Sequence, residues 1–246
     1  MASTCPCCGY DALEASAAGA ALCGICAWDE RSRGDLAELQ RSFARCGSSD
    51  PALAAFTRKP SALDVRPAWW LPLDDAPRHL IALLEEAFDG VGLDGGVSFD
   101  EAERIDDYAL PARTELDPPP SGFGEGPPWL ELTRFELDRY PTGNFAFQDA
   151  RGLRFHLPAF LRAHLRDLDH PPAALPSLLC TLHTGHQLAA LRALLTESQR
   201  RAVAHYLAFA AFTEDVAEEA FDALDVWGGD LDPEHFAHLR GVRRGC

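Results

Sequence analysis

The side chains of this sequence with the most definite chemistry are five cysteines near its start. Cys5-Pro6-Cys7-Cys8-Gly9 contains one Cys-x-x-Cys pair, Cys5 and Cys8, and Cys23-Gly24-Ile25-Cys26 supplies a second after fourteen intervening residues. Two such pairs offer four thiolates to one tetrahedral ion, the usual closed arrangement of structural zinc sites. In a two-residue knuckle the chain curls so that backbone N–H groups face the first sulfur, and the residue after the second sulfur often takes a positive φ. Gly9 stands at that position. Cys7, two residues from Cys5 and adjacent to Cys8, could join the same ion only with strain, so its side chain is expected to point away. The predicted ligands are Cys5, Cys8, Cys23 and Cys26, holding one Zn2+. Four protein ligands leave no position for water, so such a metal maintains a fold rather than performing hydrolysis. Residues 1–30 cannot bury enough apolar surface to fold alone, which makes metal affinity equivalent to folding energy. A dithiol redox couple is the competing reading, and no βαβ pattern surrounds either pair.

The elements that must position this cage follow directly. In DLAELQRSFARCG, Leu36, Leu39 and Phe43 lie at helical spacing and Gly47 supplies a stop, predicting a helix that closes a module over residues 1–47. Residues 48–73 mix Pro, Ser and charges without a period and read as a linker. The Trp69-Trp70 pair within it is expected to dock, because two exposed indoles would form an unusual apolar patch. Residues 74–246 read as a mainly helical domain. Leu80, Leu83, Leu84 and Phe88 form a stripe ending at Gly90, and Ser98 and Glu101 have capping-box spacing. WLELTRFELDRYP reads as a short helix, Thr196 and Gln199 open another, and Gly228 and Gly241 stop two more. In NFAFQDARGLRFHLP, Phe145/Phe147 and Leu153/Phe155/Leu157 alternate around Asp149-Ala150-Arg151-Gly152, predicting a β-hairpin, with Pro158 as the first residue of the next helix. The expected class is α+β: a small N-terminal four-cysteine zinc ribbon plus a mainly helical domain containing a β-hairpin.

Other clusters carry weaker chemistry. Cys180, His183 and His186 recur at three-residue intervals, but Gly185 and the lack of a fourth ligand favour a plain helix end or loop. Glu103, Asp106 and Asp107 share a helix face and read as a solvated surface. His156 and His164 fit core or boundary positions better than catalytic ones. No phosphate loop, nucleophile elbow or His-Glu-x-x-His motif is present in the sequence.

Two resemblances add to this reading. CPCCGY, LCGIC and the adjoining Ala27-Trp28-Asp29-Glu30 resemble the bacterial cysteine-rich CPCC domain family, a short zinc-ribbon-like module, over roughly residues 4–50. That resemblance implies metal binding and carries no established activity. Residues 78–212 resemble a bacterial domain of unknown function in the segments AERIDDY, FQDARGLRFHLPAFL and LTESQRRAVAHYL. This implies an architecture and no catalytic set.

Composition bounds the function. The 246-residue chain has 38 Asp and Glu against 22 Lys and Arg, a formal net charge of −16. Residues 74–126 hold fourteen acids and three arginines, and residues 213–235 hold nine acids and no Lys or Arg. Such a surface is either simply solvated or meets a basic partner, and it repels phosphate backbones, which disfavours nucleic acid. No apolar run approaches eighteen residues, and cysteines stand where a signal peptide would be apolar, so a soluble cytoplasmic chain without a membrane segment is expected. The expectation is a non-catalytic, zinc-containing binding protein with a basic protein partner, of which a toxin-immunity protein is one form. The alternative is an enzyme with a pocket between the Pro/Gly-rich loop 117–128 and the hairpin-to-helix turn near His156.

Overall fold

Short polar side chains at the ends of apolar stretches set the helix boundaries. In a computed structural model, which describes residues 3–15, 20–29, 31–32, 34–108, 128–140, 144–213, 216–233 and 235, Asp35 accepts a hydrogen bond from Ala37 N at 3.2 Å and starts helix α1 (Leu36–Cys46). Gly47 ends it at φ 76°, returning its N–H to Phe43 O at 2.8 Å. The same logic starts the helix Phe99–Asp106 at Ser98 and the helix Glu197–Ala210 at Thr196, whose box with Gln199 is closed in both directions.

The chain divides into two compact units, residues 1–76 with 232–246, and residues 77–231. The first contains a three-stranded antiparallel sheet, β1 (Ser3–Thr4), β2 (Asp11–Ala15) and β3 (Ala21–Cys23), in that order. Leu13 pairs with Cys23, and Thr4 Oγ1 donates to Asp11 Oδ1 at 2.6 Å across the β1–β2 pair. Its core is sulfur-rich: Cys5, Cys7, Cys8, Cys23, Ile25 and Cys26 are buried, and Leu36, Leu39 and Phe43 of α1 pack against them. The stripe read from the sequence is therefore the face that covers the cysteines. A 3-10 turn, Pro51–Phe56, follows, capped by Asp50. Residues 65–73 then run back over the first cysteine turn.

The second unit is helical among its described residues: α2 (Ala76–Ala87), α3 (Phe99–Asp106), α4 (Arg134–Asp138), α5 (Ala150–Arg166), α6 (Leu175–Thr184), α7 (Leu188–Leu194), α8 (Glu197–Ala210) and α9 (Ala217–Trp227). α6 and α8 pack on α9, and α5 packs on α7. Phe99 sits within an aromatic cluster of Tyr140, Phe145, His156 and Phe160. The two largest buried side chains have satisfied indoles: Trp129 Nε1 donates to Phe88 O and Trp227 Nε1 to Leu182 O, each at 2.9 Å. Among the described residues no helix is long and apolar enough to cross a membrane.

The hairpin expected at residues 145–157 does not form. Phe145–Phe147 is a 3-10 turn, and α5 runs unbroken from Ala150 through Pro158, which lies inside the helix rather than at its start. Over residues 153–157 alone, Leu153, Phe155 and Leu157 satisfy a two-residue alternation, and the helical pattern, in which Arg151, Arg154, Arg162 and Arg166 share one face, emerges only over the whole of α5. Asp149, read as a turn residue, is the helix cap, accepting from Gly152 N at 2.8 Å and Val97 N at 3.0 Å. Gly152 serves close packing, since a Cβ there would overlap Val97 O. Among the described residues the antiparallel strand pairs, β1 with β2 and β2 with β3, lie in the cysteine module. Leu175–Thr184 and Leu188–Leu194, where no helix was predicted, are helical.

Candidate metal centre

Each cysteine pair forms one turn, and the two turns have the same internal hydrogen bonds. Cys5 N donates to Tyr10 O at 2.9 Å while Gly9 N donates to Cys5 O at 2.9 Å. In the second turn Cys23 N donates to Trp28 O at 2.8 Å and Ala27 N to Cys23 O at 3.0 Å. The residue after each second cysteine is left-handed, Gly9 at φ 78° and Ala27 at φ 59°. The positive φ expected at Gly9 is therefore a property of the turn itself, taken by alanine in its counterpart at a conformational cost of about 1–2 kcal/mol.

These turns bring together the four cysteines singled out in the sequence. The sulfurs of Cys5, Cys8, Cys23 and Cys26 all lie within 4.8 Å of one another. Cys5 and Cys26 Sγ are 3.6 Å apart, as are Cys8 and Cys23 Sγ. A disulfide needs about 2.05 Å, whereas zinc–sulfur bonds of about 2.3 Å place tetrahedral sulfurs about 3.8 Å apart. The donor set thus fits a tetrahedral thiophilic ion. All four side chains are buried, at no more than 1% exposure.

Electrostatics point the same way. Burial pushes the Cys5 thiol far above its ordinary value, and hydrogen bonding to Cys23 raises Cys8 and Cys26. Cys23, which receives those bonds, is pushed down, Cys26 contributing most. Four buried thiols cannot all ionise beside one another unless a cation balances them. A divalent ion supplies that balance.

Cys7 is also buried, and its Sγ donates to Leu39 O at 3.4 Å rather than belonging to the group of four. The outward carbonyls of both turns are also held. Arg66 Nη2 donates to Cys8 O at 2.8 Å, and Ser49 N donates to Cys26 O at 2.8 Å with Ser48 Oγ at 3.4 Å. Gln40 bridges α1 to the first turn, donating from Nε2 to Pro6 O at 2.8 Å. None of Gln40, Ser48, Ser49 or Arg66 stood out in the sequence, because a group that serves a backbone carbonyl, whether a side chain or the main-chain N–H of Ser49, leaves no spacing pattern. The Trp69-Trp70 pair, expected to dock, was the one signal available.

The other candidates disperse. Cys180 and His186 are exposed, and no metal-ligating group other than the four cysteines gathers among the described residues. Glu103, Asp106 and Asp107 lie exposed on and just after α3. His156 is 4% exposed, with Nδ1–H donating to Gly152 O at 2.8 Å and Phe99 and Phe155 against its ring. Burial lowers it to about 4, and it sits mid-helix rather than at a turn. His164 is buried with Nδ1 2.7 Å from Tyr206 Oη. The 117–128 loop of the enzyme alternative lies outside the described residues up to position 127, as does Gly241.

Residues 77–228 match the family of unknown function DUF6714, while the four cysteines fall outside that span. No curated protein and no solved structure matches the chain. The match covers more than half of the sequence and coincides with the helical unit, and the chain therefore belongs to the DUF6714 family.

Proposed function

We propose that the chain is a non-catalytic, zinc-containing binding protein: a CPCC-like zinc ribbon attached to a DUF6714 helical unit whose acidic surface engages a basic protein. The observation that carries this reading is the closed cage. Four buried sulfurs around one point leave no coordination position for water or substrate, so an ion held there acts on the fold and not on a reactant. Cys5, Cys8, Cys23 and Cys26 are its ligands and zinc its metal, a soft, redox-silent ion suited to four thiolates. The net charge of −16 supports the partner class, since such a field accelerates encounter with a basic surface and opposes nucleic acid. A cytoplasmic location belongs to the same reading, because reduced thiols are what the cage requires. An immunity protein that neutralises a basic toxin is one form it takes.

Metal analysis of the purified chain tests the first half, with one equivalent of zinc expected. Affinity purification from the native cell at low salt tests the second. A basic protein that is retained and released as salt rises is the expected result. Absence of any partner at low salt, with zinc bound, would remove the binding reading and leave the cage.

A further inference from the structure

Residues 65–73 touch the first cysteine turn at Cys8, Gly9 and Tyr10, β2 at Asp11 and α1 at Gln40. Arg66 Nη2 ends on the carbonyl of Cys8, and its guanidinium lies over the rings of Tyr10 at 4.5 Å and Trp70 at 4.7 Å. The Trp70 indole covers the Cα of Gly9 so closely that any Cβ there would overlap it. Asp11 N donates to Val65 O at 3.0 Å, extending the contact into the start of β2. Leu73 N donates to Gln40 Oε1 at 2.7 Å, and the same Gln40 amide holds Pro6 O. Gly9, Tyr10, Asp11 and Gln40 are not ligands, Cys8 is met at its carbonyl rather than its sulfur, and Pro6 is reached only through Gln40.

We propose that residues 65–73 are a strap belonging to the metal centre, with Arg66 and Trp70 as positioning residues, so that zinc binding and strap docking reinforce each other. The inference rests on the zinc reading of the cage. Its physical basis is reciprocity. The strap recognises the turn in one conformation, the one that aims Cys5 and Cys8 at a common point, so it raises the fraction of chains ready to bind zinc. Zinc, by fixing that turn, must favour the docked strap by the same factor. A guanidinium packed over two aromatic rings and donating to a carbonyl suits this task, because its planar fork stacks by its face while donating by its edge, a division of labour an ammonium reproduces only in part.

The test is competition of the full-length chain against a chromophoric chelator for zinc(II), with Arg66→Ala, Arg66→Lys and Trp70→Ala beside Arg45→Ala, an exposed arginine of α1 that carries the same charge change. The expected result is one zinc in every case, with affinity lowered tenfold or more in Arg66→Ala and Trp70→Ala, only partly restored by Lys, and unchanged by Arg45→Ala. The unsubstituted chain provides a second reading through chymotrypsin cleavage after Trp70, which should accelerate at least tenfold when zinc is stripped. Affinities within twofold of one another, or cleavage insensitive to zinc, would overturn the strap while leaving the zinc site standing. A wild-type chain that binds no zinc would instead overturn the reading on which the strap depends.

Discussion

The two units of this chain bury their interiors by different chemistry. In the second unit, Phe99, Phe145, Phe160, Trp129 and Trp227 supply large apolar side chains to a helical core. In the first, five of the six buried cluster residues are cysteines, and Ile25 is the one large aliphatic among them. An aromatic core contributes its stability as soon as water is excluded, whereas a cluster of thiols does so only when something balances their charge. One unit should therefore depend on an ion and the other should not.

Removing the proposed zinc is the strongest way to break that comparison. Chelation should unfold the cysteine module, forfeiting on the order of 10 kcal/mol of coupled binding and folding, while the far-UV helical signal and the thermal transition of residues 77–231 persist. Cys8→Ser should do the same and lose its zinc, and Cys7→Ser should retain about one equivalent per chain. Equal loss from both cysteine variants would sink the ligand assignment. Next in size is the converse. Trp227→Ala removes an indole packed in the helical core, hydrogen-bonded to Leu182 O and stacked beneath Arg192. It should cost ~3–5 kcal/mol in denaturant unfolding of that unit, with zinc content unaltered.

Acid sharpens the contrast further. His156 falls from an ordinary 6.5 to about 4 because burial disfavours its charged form. Between those values the unfolded chain takes up a proton that the folded unit refuses, so the stabilisation is complete above pH 6.5 and is lost as pH falls towards 4. The full amount is roughly 3 kcal/mol. His156→Gln should flatten that slope in denaturant melts between pH 4 and 7. An unchanged slope would assign the acid sensitivity elsewhere. The smallest effect concerns the strained alanine of the second turn. Ala27→Gly should raise chelator resistance by an amount worth under about 1 kcal/mol, relief of the left-handed strain being offset by a freer unfolded chain.

How much of this was legible depended on which atoms carried each interaction. Gly47, Ser98 and the Thr196–Gln199 box act locally, within one turn of helix, and their positions could be read directly. The cage was legible because the spacing of Cys5, Cys8, Cys23 and Cys26 is itself the geometric requirement. α5 was misread because the alternation of Leu153, Phe155 and Leu157 spans too few residues for the face shared by its arginines to show. The approach of Gly152 to Val97 O is a contact between distant segments that no local pattern records. The hydrogen bonds of Arg66 and Gln40 to the first cysteine turn and to Leu73 were hidden for a related reason: their partners are main-chain groups, which carry no residue-specific signal.

Seen from the sulfurs, the two cysteine turns are interchangeable, with the same ring of hydrogen bonds and the same left-handed residue closing each. Seen from outside, one ends in bare peptide at Gly9 and the other carries the methyl of Ala27. An indole can lie flat on the first and would collide with the second. The cage therefore has a front and a back, like a plug with one keyed pin. A duplicated turn has become a directional one, and the difference amounts to a single carbon atom.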